Sequence, residues 1–233
     1  LDIFAYHKSS EGILITENSR YLGFLSAQSL LEIVNDKRIE AAREQNPLSK
    51  LPGNASITRY SERLAENAEF DRFLCYVDFD NFKPFNDSYG FREGDRAIIM
   101  FSDLLRRQFP DSRFMIGHVG GDDFFIGAGG ISGAGLKKSL VQLRADFAKN
   151  AESLYCAEDR ERGYIEARDR YGKQRQFPLL SCSIAMLRIP AGKPVASIDT
   201  LLHEISRIKR KAKNARSGIA GADFREARPY KAG

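Results

Sequence analysis

Long apolar runs, a secretory signal and paired cysteines are all missing from this sequence of 233 residues. No apolar run approaches the roughly 20 residues that cross a bilayer, so we expect no membrane segment in this chain. The three cysteines, Cys75, Cys156 and Cys182, lack metal-ligand spacing, and Cys75 and Cys182 lie in apolar, strand-like runs. These features predict buried thiols in a reducing compartment, the cytoplasm.

A basic cluster interleaved with aromatic residues is also missing. The formal net charge is +5, and the Lys and Arg residues are spread along the chain. Such a charge suits a nucleotide triphosphate as well as nucleic acid, but nucleic-acid-binding domains gather their basic residues on one face. We therefore expect no nucleic-acid partner.

The organisation of the chain follows from its apolar patterns. Residues 12–26 read as two short strands around a polar turn, and residues 27–45 read as a helix that Asn46-Pro47 ends. Two strands and a helix cannot close a core, and the chain begins with Leu1 rather than Met, so we expect a piece of a longer protein. From residue 46 onward, apolar strands alternate with helical segments, which predicts an α/β or α+β fold with helices on the faces of a sheet.

Two separate segments carry acidic residues at the ends of predicted strands. Asp78 follows the apolar run RFLCYVDF, and Asp122 and Asp123 lie on the Gly120-Gly121 turn of a predicted hairpin. If those strands are neighbours, the carboxylates converge and suit Mg²⁺, which proteins hold with one or two carboxylates plus substrate phosphates. The two glycines, which lack Cβ atoms, would let a bulky ligand lie against the backbone.

Polar residues further along the chain fit a nucleotide. Asn86 and Asp95 offer the amide and carboxylate edges that read guanine, while Lys83 and Lys213 offer positive charge to phosphates. Each has an alternative: Asn86 and Asp95 would also serve as helix caps, and both lysines as solvated surface charges. The basic run 207–213 would also complement a helix C-terminus.

Three motifs together resemble the GGDEF-domain diguanylate cyclases. They are GGDDF at 120–124, DFDNFKPFNDSYGFREGD at 78–95 and NPLSKLPGN at 46–54. The resemblance covers residues 46–217 and implies a central mixed sheet flanked by helices, related to the palm of adenylyl cyclases and polymerases. It also implies condensation of two GTP into cyclic di-GMP plus pyrophosphate, in a homodimer whose subunits each hold one GTP.

The resemblance also implies a role for each matching residue. Asp78, Asp122 and the Phe79 carbonyl would bind Mg²⁺, or Mn²⁺ in its place, and Asp123 would lie beside the attacking 3′-hydroxyl. Asn86 and Asp95 match the pair that binds guanine, and Lys83 and Lys213 match contacts to the phosphates. The other residues implied in substrate binding are Phe82, Gly120 and Gly121.

Several positions depart from the usual family pattern. Asp123 replaces glutamate and is one methylene shorter, Phe91 replaces histidine, and His118 stands where arginine is frequent. The basic motif after Lys213 is blurred, because Ser217 occupies the expected arginine position. Small geometric errors cost orders of magnitude in rate, so a second hypothesis is a weak or inactive domain that binds GTP as a sensor for a partner EAL phosphodiesterase domain. A polymerase-like enzyme is disfavoured, because no template-binding element is visible.

The N-terminal segment YLGFLSAQSLLE is similar to the end of a CBS-pair module in proteins ordered EAL, CBS, GGDEF. This implies upstream regulatory domains in the full-length protein. The predicted organisation is therefore a CBS-like fragment at 1–26, a connector helix at 27–45, the GGDEF domain at 46–217 and a tail at 218–233.

Overall fold

The computed structural model describes residues 12–110, 112–168, 171–195 and 197–225. The chain divides into two compact units, Leu1–Gln45 and Asn46–Gly233. In the described part of the first unit, β1 (Gly12–Glu17) pairs antiparallel with β2 (Arg20–Ser26), and α1 (Ala27–Glu44) follows. The Ser26 hydroxyl accepts the backbone N–H of Ser29 and caps this helix. The hairpin and helix expected from the sequence are confirmed.

The strands of the second unit are β3 (Arg72–Asp80), β4 (Phe114–Gly120), β5 (Asp123–Gly129), β6 (Tyr164–Arg168), β7 (Gln174–Pro178), β8 (Ser181–Ile189) and β9 (Ile219–Asp223). Five of them form a sheet with the order β4-β5-β3-β8-β9, in which the β8–β9 pair is parallel and the other pairs are antiparallel. A separate pair, β6 and β7, forms an antiparallel hairpin. The helices are α2 (Asn54–Glu66), α3 (Phe82–Tyr89), α4 (Phe91–Gln108), α5 (Gly133–Ala151), α6 (Ala157–Arg162) and α7 (Ile198–Asn214), with a 3₁₀ turn at Glu152–Leu154.

The central strand β3 is buried on both faces, as its continuous apolar run predicts. Because successive side chains of a strand point to opposite faces, Phe73, Cys75, Val77 and Phe79 enter the core formed with α4 and α5. Leu74 enters the second core, which α2 and α7 close. Asp78 has the parity of Leu74, so its side chain emerges on the α7 side of the sheet.

Aromatic packing fixes the end of β3 from the opposite face. The Phe79 ring is 1% exposed and stacks on Phe124 and Phe147, with centroids 5.5 and 4.4 Å away, while Phe101 meets it edge-on at 5.1 Å. Burial of each such ring contributes roughly 2–3 kcal/mol, and aromatic pairs add about 0.5–1.5 kcal/mol. The backbone that carries Asp78 is therefore held rigidly.

The prediction that residues 218–233 form a tail is wrong for the first part of this segment. Ile219–Asp223 forms the edge strand β9, and Phe224 is 3% exposed in the second core. The segment IAGAD has little apolar patterning, but parallel pairing with β8 satisfies its backbone groups. Residues 226–233 lie outside the described part of the chain.

Two further segments are regular in the structure. Residues 82–89 form α3, and the charged stretch 157–176 contains α6 and most of the β6–β7 hairpin. Within the described residues, every helix is too short or too polar to cross a bilayer.

Candidate active site

Three acidic residues lie at one end of the sheet, on two neighbouring strands and on the turn that leads into one of them. In the β3–β5 register, Asp78 stands directly opposite Asp123. Asp122 lies in the turn between β4 and β5, and its carbonyl accepts the backbone N–H of Phe79 at 3.3 Å. The expectation that these strands are neighbours is confirmed, and the predicted hairpin supplies two of the three acidic residues.

The second aspartate of the β3 motif serves a different purpose. Asp80 accepts hydrogen bonds from the hydroxyls of Ser181 and Ser183, at 2.8 and 2.6 Å. Both serines belong to β8, so Asp80 links the two strands and its oxygens are occupied.

The glycines of the turn leave open space beside the carboxylates. Gly120 and Gly121 have φ angles of +147° and +57°, and a Cβ atom at either position would meet no atom within 4 Å. A side chain would strain this backbone and cover the turn. The expected approach of a ligand to bare backbone therefore has room.

His118 holds this turn from beneath. Its Nε2–H donates to the Gly121 carbonyl at 2.9 Å, so Nδ1 is the acceptor for the Ser49 hydroxyl, also at 2.9 Å. The Ser49 oxygen accepts the backbone N–H of Leu51, and the imidazole stacks on Phe124 at 4.3 Å. Burial lowers the pKa of His118, although the Gly121 hydrogen bond and the Asp123 charge oppose this shift, and the neutral tautomer matches the network.

The segment before α2 is attached to the same hairpin. The Pro52 carbonyl accepts the N–H of His118 at 2.9 Å, and the Asn54 amide donates to the Val119 carbonyl at 3.1 Å. Arg106 of α4 donates to the Ser49 carbonyl at 2.6 Å. A displacement of residues 46–54 would therefore reach the Gly121-Asp122 turn through a few direct contacts.

A buried amide oxygen without a partner lies where α3 meets α4. Oδ1 of Asn86 is buried and has no hydrogen-bond partner, and a Cβ atom on Gly94 would stand 2.0 Å from it. Asp95 follows Gly94 and is exposed, while Phe82 packs edge-on against Phe79 at 5.5 Å. The structure thus brings Asn86 next to the helical turn that bears Asp95. A buried acceptor without a donor is costly unless a ligand completes it.

The two lysines predicted to contact phosphates line different cavities. Lys213 borders a cavity of about 430 Å³ together with Asp78 and Lys209. Lys83 is 77% exposed, pairs with Asp87 at 2.8 Å, and lines a cavity of about 530 Å³ with Arg168 and Arg175.

Comparison with known proteins identifies the family. The family model described as "Diguanylate cyclase, GGDEF domain" matches residues 44–163. The chain belongs to the GGDEF family. Strands β8 and β9 and helix α7 lie beyond the matched range, but β8 and β9 complete the sheet of this GGDEF domain and α7 closes its second core.

Two curated relatives are about 30% identical to this GGDEF chain over the stretches that align. Diguanylate cyclase DgcP of Pseudomonas aeruginosa is 29% identical over 139 residues, which cover 52% of this chain and 20% of DgcP. Diguanylate cyclase DgcS of Shewanella oneidensis is 32% identical over 116 residues, 46% of this chain and 38% of DgcS. The chain therefore spans well under half of either relative.

Solved structures confirm the mixed, palm-like fold. The coiled coil and GGDEF domain of DgcB from Caulobacter crescentus, in complex with c-di-GMP, superposes with a TM-score of 0.62 at 16% identity, covering 84% of this chain and 95% of DgcB. Diguanylate cyclase SiaD from Pseudomonas aeruginosa, in complex with its activator SiaC, gives 0.61 at 15% identity, covering 84% and 67%.

The acidic cluster of this GGDEF domain has the donor chemistry of a divalent-cation site. Burial raises the pKa of Asp122, and the negative charges of Asp78 and Asp123 raise it further, although Lys213 opposes them. Crowded carboxylates of this kind favour a neighbouring cation. Within the described residues, no three His, Cys, Asp or Glu side chains are grouped as a metal site. Mg²⁺ is usually held by one or two carboxylates plus substrate phosphates and water, so two carboxylates of this cluster have suitable donor chemistry.

Sequence reasoning missed one residue of the site, Lys209. Its Nζ lies 2.5 Å from Oδ1 of Asp123 and 3.3 Å from Oδ2 of Asp78. Burial alone would lower the pKa of Lys209, but the hydrogen bonds and charges of the two aspartates raise it above its usual value. Helical spacing could have indicated Lys209 as a site residue, because it lies four residues before Lys213 on α7 and therefore shares one face with it.

Proposed function

We propose that this GGDEF domain is a diguanylate cyclase, which condenses two GTP into cyclic di-GMP with release of pyrophosphate. The observation that carries the proposal is the meeting of Asp78, Asp122 and Asp123 at one end of the sheet. The family match and the open backbone beside Gly120 and Gly121 support it.

In this proposal, Asp78, Asp122 and the Phe79 carbonyl hold Mg²⁺ or Mn²⁺. When bound, the cation would neutralise charge on the transferring phosphate and lower the pKa of the incoming hydroxyl. Asp123 lies beside the 3′-hydroxyl and orients it after separating from Lys209. Two GTP molecules must react head to tail, so two domains would face each other in a homodimer.

The substrate would lie across the α3–α4 junction and the hairpin. Asn86 and Asp95 would hold the guanine base, because the buried amide oxygen of Asn86 lacks a donor and guanine carries N–H groups. Phe82 would border the base, while Lys213 and Lys83 would contact phosphates.

We further propose that residues 1–26 are the end of a CBS-like regulatory module, that residues 27–45 connect it to the GGDEF domain, and that further regulatory domains precede it. Leu14 and Leu31 of the first unit are 68% and 69% exposed. Large exposed apolar side chains support the proposal that further domains of the full-length protein would cover this surface. The contacts of residues 46–54 with β4 supply a route for the signal.

A second candidate is a GTP-binding sensor that tunes a partner EAL phosphodiesterase domain without turnover. The observation that favours it is the occupation of Asp78 and Asp123 by Lys209 and Lys213.

One experiment distinguishes the two functions. Concentrated protein is incubated with GTP and Mg²⁺, and cyclic di-GMP is sought by chromatography, with Asp78→Asn as the control. Product from the wild type and none from the folded variant supports the cyclase. GTP binding without product in the wild type supports the sensor.

A further inference from the structure

A lysine side chain of this domain already contacts two residues of the acidic cluster, Asp78 and Asp123. The ammonium of Lys209 lies between Asp78 and Asp123, which stand opposite each other on β3 and β5. Lys213 lies one helical turn later on α7, and its Nζ is 2.5 Å from Oδ1 of Asp78. The two groups form an ion pair, but their angles are not those of a hydrogen bond. Each oxygen of the Asp78 carboxylate therefore faces a lysine.

Lys209 is held in this place more firmly than its neighbour. Its side chain is 24% exposed, against 48% for Lys213. Ile205 and Ile208 on the same helix are 2% and 0% exposed in the second core, which fixes the rotation of α7 about its axis. The ammonium position is thus set by the packing of the helix as well as by charge attraction.

A divalent cation on Asp78 would come close to the Lys209 ammonium. Mg²⁺ and Mn²⁺ bind carboxylate oxygens at about 2.0–2.2 Å. Lys209 Nζ lies 3.3 Å from Oδ2 of Asp78, so a cation on that oxygen would lie within roughly 5.5 Å of Nζ. Repulsion between a double and a single positive charge disfavours both at this separation. A cation held by Asp78 and Asp122 therefore competes with Lys209 for the same carboxylate.

We propose that Lys209 is an internal competitor for the divalent cation, and that the nucleotide removes it. A triphosphate brings several negative charges to this end of the sheet and offers the ammonium new partners, so that the cation and nucleotide bind together more tightly than either alone. The proposal rests on the proposed function for the identity of the ligands. It adds a residue that sets the affinity for metal and makes metal binding depend on the nucleotide.

Direct metal binding tests the proposal without any turnover. Mn²⁺ affinity is measured by electron paramagnetic resonance for the wild type and for Lys209→Met, which keeps the length of the side chain and removes its charge. In the absence of nucleotide, we expect the variant to bind Mn²⁺ about tenfold more tightly or better, because a nearby like charge has gone. A non-hydrolysable GTP analogue should increase the Mn²⁺ affinity of the wild type more than that of the variant.

Lys211→Met is the matched control. Lys211 is exposed on the same helix, so this substitution changes the net charge equally without touching the carboxylates. It should leave the Mn²⁺ affinity within about twofold of the wild type, because exposed distant charges are screened by salt. The double variant Asp78→Asn with Lys209→Met should largely lose the gain in Mn²⁺ affinity, because the carboxylate for which the two cations compete has been removed.

The proposal is overturned if wild type and Lys209→Met bind Mn²⁺ with equal affinity. It is also overturned if Lys211→Met gains as much Mn²⁺ affinity as Lys209→Met. Absence of Mn²⁺ binding in all variants overturns it too, because no competition would then exist. Failure of the proposed function has a different signature. It would appear as GTP and Mg²⁺ giving no cyclic di-GMP, while the Lys209 effect on Mn²⁺ persists.

Discussion

Replacing Gly94 with alanine tests whether the α3–α4 junction holds the purine. A Cβ atom at Gly94 would stand 2.0 Å from Oδ1 of Asn86 and 3.2 Å from the Phe82 ring. Ordinary van der Waals contact begins at 3.4 Å, so the amide must withdraw by the difference, 1.4 Å. Asn86 would then leave the position from which we propose that it contacts the base.

The expected effect on stability is small because two contributions oppose each other. Alanine stabilises a helix interior by about 1 kcal/mol relative to glycine, while forcing a side chain from its rotamer costs about 0.5–1.5 kcal/mol. The net change should be within about 1 kcal/mol, or roughly 2–4 °C in melting temperature for a domain of this size.

The expected effect on GTP affinity is much larger. A hydrogen bond lost from a positioned, buried group costs about 1–3 kcal/mol, which corresponds to roughly fivefold to 150-fold weaker binding. Isothermal titration calorimetry with a non-hydrolysable GTP analogue measures this loss. Asn86→Ala should weaken binding to a similar degree, and the double variant should add little, because both changes remove the same contact.

Gly135→Ala is the matched control, because Gly135 is also helical and its Cβ would meet only Ser132, at 3.8 Å. This variant should keep the wild-type affinity. Unchanged affinity in Gly94→Ala beside weakened binding in Asn86→Ala would show that the amide accommodates the methyl group. Unchanged affinity in both would refute the purine assignment.

Three further predictions concern charge and stability. Asp122→Asn should abolish turnover yet raise the melting temperature by about 1–8 °C, because it removes crowded negative charge worth roughly 0.5–2 kcal/mol; a lower melting temperature would contradict this. Burial lowers the pKa of His118 below 6.5, so its contribution to stability is complete above pH 6.5 and is lost as the pH falls below it. Between about pH 7.5 and 5.5 the melting temperature should therefore fall more in the wild type than in His118→Gln, which keeps a donor for Gly121; equal slopes would argue against the assignment. Arg72 is 0% exposed and donates to four carbonyls, so Arg72→Met should cost about 3 kcal/mol, or roughly 6–12 °C by calorimetry, and a loss below 1 kcal/mol (about 3 °C) would be inconsistent with those bonds.

Local patterns predicted the elements that carry the acidic residues. The run RFLCYVDF has the composition of a strand buried on both faces, and Gly-Gly followed by Asp marks a hairpin. Both signals depend on neighbouring residues only, and with the other apolar segments they predicted an α/β or α+β fold. That Asp78 lies near the GGDD turn followed only on the condition that the two strands are neighbours, which the β3–β5 register meets.

Features that depend on distant contacts could not be predicted in the same way. The strand β9 has little apolar patterning, and its place comes from pairing with β8, which begins nearly forty residues earlier. Lys209 belongs to a basic run that equally suits the end of a solvated helix. Its role depends on how Ile205 and Ile208 orient α7 against the sheet.

The short side chain of Asp123 and the presence of Lys209 have a common consequence. An aspartate on the first residue of β5 keeps its carboxylate close to the strand, where it reaches Lys209 and faces Asp78. A glutamate would extend one methylene further, beyond this cross-strand position. The departure from the family pattern therefore does not simply weaken the site, because the shorter acid and the lysine form a closed arrangement of balanced charge. If Lys209 is the competitor that we propose, nucleotide binding would open this arrangement under both the cyclase and the sensor hypothesis, which differ in whether turnover follows.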